Sequence, residues 1–240
     1  MPFKAGRSGE IWFNGVDVST YFASADFGAK VALLPVTTFK ATWDSFISGE
    51  ASANLTAAGY YDSADADKVR DSLLSATVNQ LTFFPAGAVA IGDQARLLNV
   101  NSSDYKNSSK IGQAVVMDWT AMATATLGIG TALHVLQSEA LGTITGTGDG
   151  IGNAGVQTTT GLVAHLHVTA VSSAVASTFK LQDATTLGGA YTDIVAGAFI
   201  NVTAVGSQRL VVPGTIRQFV RAVAVIGPAT TTYGLAAART

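Results

Sequence analysis

Between Trp119 and Ser138 the chain carries no charged residue, and this run (WTAMATATLGIGTALHVLQS) limits the fold more than any other segment. It is about long enough for a helix to span a bilayer, but its pattern argues otherwise. Thr120, Met122, Thr124 and Thr126 alternate with Ala121, Ala123, Ala125 and Leu127. That period of two is the mark of strands, since successive side chains point to opposite faces. Gly128, Gly130, His134 and Gln137 weigh further against a lipid-facing helix. The expectation is therefore paired strands and no membrane insertion. Residues 1–13 lack an apolar leader followed by a small-residue cleavage site, so no secretory signal is expected.

The same reading covers the rest of the chain. Residues 10–18 form a strand with Asn14-Gly15 inside it, a tight-turn signal. Residues 19–25 make a short helical turn, and 31–34 a strand ending at Pro35. Residues 36–49 are a long connection holding Phe39, Trp43 and Phe46. Strands follow at 50–61, 78–84, 95–101, 110–118 and 120–136. The one helix expected is 65–74, with acids in its first turn to suit the dipole and Val69, Leu73 and Leu74 on one face. Residues 141–161 are Gly/Thr-rich and read as a linker or long loop. Beyond it, short strands at close spacing (162–171, 178–183, 191–195, 199–204, 208–212 and 216–226) suggest a small sandwich. The expected organisation is a core domain at 1–140, a linker at 141–161, an appended β-sandwich module at 162–228 and a C-terminal tail at 229–240.

Composition narrows the function. Charged residues are 12% of the 240, against about 25% in typical soluble domains. Hydrophobic residues are 48%, which excludes a disordered chain. There is no cysteine, so no disulfide framework, and a net charge of −2 excludes a strongly basic nucleic-acid binder. A dispersed monomer needs a charged surface. This deficit points to a surface covered by other copies of the chain. The charge is also uneven: residues 1–156 carry −5 and residues 157–240 carry +3.

No motif points to catalysis. Gly150, Gly152 and Gly155 spell G-x-G-x-x-G, but no helix can start in the VQTTTG that follows, so no phosphate cradle is expected. Asp62, Asp65 and Asp67 lack the glycine and closing glutamate of a calcium loop. His165 and His167 share a strand face, and with His134 as the one further imidazole they read as partly exposed strand residues rather than a metal site. No nucleophile with a base and an orienting group is recognisable. The chain is read as a non-enzyme with no cofactor, no metal and no catalytic residues. The sequons at Asn54, Asn101, Asn107 and Asn201 read as chance matches in a Ser/Thr-rich chain.

One stretch carries an ordered set of pieces. Asn14-Gly15-Val16-Asp17-Val18-Ser19 comes first, then Leu34-Pro35-Val36-Thr37-Thr38-Phe39. Trp43, Phe46, Ile47 and Gly49 follow, then a strand ending in Gly59-Tyr60-Tyr61-Asp62, then the expected helix. In order and content this region resembles the major tail proteins, or tail tube proteins, of long-tailed (siphovirus-type) bacteriophages. Residues 215–225 (TIRQFVRAVAV) and Tyr191-Thr-Asp-Ile are similar to strands of the sandwich appended to some of them. Such strands also occur in carbohydrate-binding sandwiches.

The resemblance implies an all-β fold with one short α-helix: a tail-tube sandwich or barrel-forming domain followed by a small C-terminal β-sandwich. It implies a virion subunit, made in the host cytoplasm, that assembles into hexameric rings stacked as a tube. Its partners would be copies of itself, a tape-measure protein and other tail proteins, with double-stranded DNA passing through unbound. The expected subunit and ring interface is Val36, Thr37, Thr38, Phe39, Trp43, Phe46 and Ile47, because an apolar connection of this length is no idle loop. The expected lumen-lining strand holds Glu50, Ser52, Asn54 and Thr56, whose lack of Lys and Arg suits a wall that must not grip phosphate. Two other readings stay open. One is a β-sandwich adhesin or carbohydrate-binding module. The other is a different virion protein, such as a tail terminator or capsid decoration protein.

Overall fold

The structure is a computed structural model that describes residues 9–35, 46–61, 69–72, 78–88, 90–149, 157–172, 175–227 and 230–240. The fold is all-β, with residues 69–72 as a short helical piece and no closed barrel among the described residues. The chain divides into two compact units.

The first unit takes residues 1–20, 78–99 and 125–240. Its strands are β1 (Glu10–Phe13), β2 (Val16–Asp17), β5 (Asn79–Phe84), the first part of β6 (Gln94–Ser108), β8 (Gly128–Glu139), β9 (Gly142–Thr145), β10 (Leu162–Val171), β11 (Thr178–Ala184), β12 (Thr192–Ala198), β13 (Gly206–Val212), β14 (Phe219–Ile226) and β15 (Thr231–Arg239). One sheet runs β13-β10-β15-β8-β6-β5-β1-β2 and a smaller one β12-β11-β14-β9. Between them Leu166, Val168, Phe179, Leu181, Val220, Tyr233 and Leu235 form a buried core. On the other face of β10 and β15, Val163, Ala236 and Ala238 pack with Trp12, Phe84 and Leu97. β10 and β15 are thus buried on both faces. That is why their sequences run apolar or small without alternation, as in doubly covered sheets.

The Asn14-Gly15 turn forms as expected. Both residues have positive φ (48° and 77°), matching the right-handed twist of the strands it joins. A Cβ at Gly15 would lie 2.4 Å from the carbonyl oxygen of Gly206, so only glycine fits.

The second unit takes residues 21–77 and 100–124. β3 (Phe22–Pro35), β4 (Phe46–Tyr60), β7 (Val116–Ala123) and the rest of β6 form an antiparallel sheet in the order β3-β4-β7-β6. Leu55, Ala57, Met117, Trp119 and Ala121 are buried on one face. Phe22 stacks on Trp119 there, with ring centroids 5.7 Å apart. Ser102 accepts from the Trp119 indole N–H and contacts the Ser72 hydroxyl from the helical piece.

The charge-free run 119–138 is two strands, β7 and β8, joined at 124–127. No helix among the described residues is long and apolar enough to cross a membrane. Several sequence expectations give way. β3 begins at Phe22, so the helical turn shrinks to a 3-10 turn at Ser19–Tyr21. Residues 110–115 are not strand. Of the expected helix 65–74 only 69–72 fall within the described residues.

The largest difference concerns the division of the chain. The segment 141–161, expected as a linker, holds β9 paired to Val223–Ile226 of β14, and bridges link Asp149 to Val220 and Thr158 to Ile216. The expected tail 229–240 holds β15, paired on one side to β10 and on the other to β8. Strands from before and after 141–161 therefore share one sheet. Gly and Thr are common in loops, but Thr also favours strands, and backbone pairing along β14 needs no particular side chain.

Candidate functional site

Among the described residues, one face of the second unit's sheet is exposed or half-buried. Cross-strand partners share a face, so the register places Ser52, Asn54 and Thr56 beside Lys30, Gly28 and Asp26 of β3. Met122 and Thr120 of β7 lie across from Asn54 and Thr56 on the other side. Asp118 and Thr120 in turn face Lys106 and Asp104 of β6. Three of the four expected lumen residues thus stand together. The fourth, Glu50, does not continue their row. β4 carries one extra residue between Ser48 and Ala51 relative to Leu33–Val31 of β3, a bulge that breaks alternation at Glu50. Strand β4 alone has no cation, yet pairing brings Lys30 and Lys106 onto its face among three aspartates. Single-strand reading could not see this, because side-by-side neighbours are set by register.

Past the bulge, β3 and β4 leave the sheet as a two-stranded ribbon. β7 pairs with β4 only over Asn54–Tyr60. In the ribbon Leu33 faces Ser48, Leu34 faces Ile47, and Pro35 faces Phe46. Adjacent pairs point to opposite faces, so Leu34/Ile47 line one side and Leu33 with Pro35/Phe46 the other. All four large side chains are exposed: Leu33 63%, Leu34 50%, Phe46 55% and Ile47 51%. A bare two-stranded ribbon is marginal in water, and a contiguous apolar surface rimmed by charge marks a contact site. Lys30 and Glu50 flank it. Of the expected interface residues, Phe46 and Ile47 are here; Val36, Thr37, Thr38, Phe39 and Trp43 lie outside the described residues. Leu33 and Leu34 share this exposed apolar surface without being expected there, although the apolar run Val31–Leu34 before a proline was a usable signal.

The histidines correct the sequence reading. His165 and His167 do share a strand face, but both are buried with Trp12 rather than partly exposed. The Gly15 N–H donates to His167 Nδ1 (3.3 Å), which puts the His167 proton on Nε2, 3.0 Å from Thr82 Oγ1. Thr82 in turn lies 3.2 Å from His165 Nδ1. Burial pushes the His167 pKa down to about 3. Burial, the neighbouring His167 and Arg209 hold His165 well below the usual imidazole range. Neutral imidazoles thus pin the β1–β2 turn to β10. His134 is also buried, stacked on Tyr233 with centroids 4.0 Å apart and 3.2 Å from Glu139 Oε1. No group of three metal-ligating side chains occurs among the described residues.

No protein-family model matches the sequence, and no curated protein matches it. Among solved structures, the chain is similar to one in the virion of a native gene transfer agent particle, with TM-score 0.46 and 13% identity over 53% of this chain and 98% of that one. It is similar to the SPP1 tail tube, with TM-score 0.41 and 8% identity over 51% of this chain and 77% of that one. It is also similar to the SPP1 Dit protein, described as a hub adsorption apparatus of phages infecting Gram-positive bacteria, with TM-score 0.36 and 10% identity over 95% and 98% of the two chains.

Proposed function

We propose that the chain is a structural subunit of a long-tailed phage tail tube, assembling into hexameric rings that stack as a conduit for the genome. The observation that carries this is the ribbon of β3 and β4, apolar on both faces and exposed on both. A flap meant to fold onto its own body would be apolar on one face only. Two apolar faces call for cover from other chains. The sheet edges support the same reading. With four strands alternating in direction, the edge strands β3 and β6 run opposite ways. Copies arranged around an axis can then continue the antiparallel order, which removes the exposed edges that invite aggregation.

The open face, with Ser52, Asn54 and Thr56 among three aspartates and two lysines, is the proposed lumen wall. Its small polar side chains and sparse, mixed charge give sliding DNA little to hold. A tape-measure protein and other tail proteins would be the further partners, and the location the virion tail.

The test is electron microscopy of the purified chain beside the double variant Leu33→Ser, Phe46→Ser. The expected result is rings or hollow tubes for the parent and folded monomers for the variant. A parent that stays monomeric at high concentration, or a variant that still forms tubes, overturns the proposal.

A further inference from the structure

The sheet of the second unit ends in β3 on one side and β6 on the other. Each edge carries one acid and one base on the open face: Asp26 and Lys30 on β3, Asp104 and Lys106 on β6. All four are exposed, and none makes a hydrogen bond or ion pair among the described residues. The other face of the same two edges carries one aromatic each. Phe27 lies across from the buried Leu55, and Tyr105 across from the buried Trp119. Both rings are half-buried.

We infer that β3 of one copy pairs with β6 of the next in a single register, with Asp26 opposite Lys106 and Phe27 opposite Tyr105. The inference rests on the tube reading above and deepens it by naming the residues that meet at each seam. The two edges run in opposite directions, so the pairing is antiparallel. In this register Ser24–Gly28 lies against Ser108–Asp104. A slip of one residue turns the apolar face of the incoming strand outward, so only even slips compete. One slip of two sets Asp26 against Asp104, like charge against like. The other sets Asp26 against Ser108 and Phe27 against Asn107. Larger slips meet the bulge between Ser102 and Asp104, or run off the end of β6 at Ser108. Only the proposed register opposes unlike charges at Asp26 and joins the two aromatics, and both kinds of pair stabilise a ladder. Asp104 then falls opposite Gly28, on the diagonal to Lys30 and within reach of that long side chain. Exposed ion pairs add little affinity. The backbone ladder holds the seam, and the charges choose its register. β3 meets β6 and not itself, so the contact propagates from copy to copy, as a ring requires. It also matches the charges of the open face across the seam, which suits a wall that must not grip phosphate.

The chain has no cysteine, which makes a direct test simple. Ser24→Cys and Ser108→Cys face each other in this register and leave all four charges in place. They are made as separate single variants with tags of different size, mixed, left to assemble and oxidised. The expected result is a mixed-size disulfide about tenfold or more above that of Ser24→Cys with Ile129→Cys, an exposed position in the first unit, because pairing sets a high effective concentration. Charge reversal then reads the register. Asp26→Lys should raise the concentration needed for assembly about tenfold. Lys106→Glu, which also meets Asp118 of its own chain, should weaken assembly too, and the double variant should assemble better than either single one. Rings or tubes that form without the mixed disulfide, or that form equally well with Asp26→Lys, overturn the seam and leave the tube proposal standing. The disulfide and the charge rescue in assemblies that are neither rings nor tubes support the seam and overturn the tube. Ser24→Cys linking only to itself joins two β3 edges and overturns the register. A chain that stays monomeric and unlinked overturns both.

Discussion

Acid should loosen the first unit well before its carboxylates protonate, because two imidazoles are buried neutral. His167 titrates near 3 in the folded chain and near 6.5 once unfolded. A depressed folded pKa means that the unfolded chain binds the extra proton as pH falls. Stability is therefore intact above about 6.5 and drains away between there and about 3. For one such group the loss between about pH 7.5 and pH 5.5 is about 1.4 kcal/mol. His165 moves in the same direction, so it adds to this loss, which is already a sizeable share of an ordinary domain's margin. Arg209, across from His165 in the β10–β13 register, stays charged through this range and adds no slope. Glu10, whose indole-bonded carboxyl is pushed up by burial, works in the opposite sense but nearer the carboxylate range. Urea titration followed by tryptophan fluorescence reads the effect, since Trp12 packs edge-on to His167. The midpoint should fall by about 0.5 M or more between the two pH values. In His167→Asn, whose side-chain oxygen can still accept from Gly15, the fall should be clearly smaller than in the parent. A parent midpoint that does not move refutes the reasoning. So does an NMR titration in which either buried imidazole protonates near pH 6.5 in the folded chain.

Other predictions follow from packing. Gly234→Ala should cost about 1–3 kcal/mol through overpacking, because its Cβ would stand 2.6 Å from the Trp12 ring; a thermal melt unchanged from the parent would contradict this. Asp183→Ala removes the carboxylate that accepts from Arg217 Nε at 2.8 Å and from its backbone N–H at 2.9 Å. The loss expected by urea denaturation is about 3 kcal/mol, whereas Lys180→Ala, which breaks the exposed Lys180–Asp193 pair, should leave the urea midpoint essentially where it was. Deleting residues 231–240 should abolish folding of the first unit, since β15 contributes to both of its cores; a truncated chain with parent-like near-ultraviolet circular dichroism would show otherwise.

Much of the fold was legible in local pattern. Period-two alternation identified strands through most of the chain, Asn14-Gly15 announced its turn, and β5 ends at Phe84 where expected. These signals act over a few residues, through sterics and hydrogen bonding, so a linear reading captures them. The apolar character of Phe46 and Ile47 was equally plain, though not that both stand exposed.

What the linear reading missed depends on which distant segments meet. Residues 231–239 look like a tail until they are seen between β8 and β10, where one face buries Tyr233 and Leu235 and the other buries the small Ala236 and Ala238. His165 and His167 look like surface residues until Thr82 and Gly15, about 80 and 150 residues away in the chain, close over them. Lys30 and Lys106 join the face of β4 only through register. The sequence by itself determined an all-β chain poor in charge. Only the tertiary structure decided which strands lie buried on both sides and which apolar side chains are left uncovered, because burial is a property of the whole packed chain.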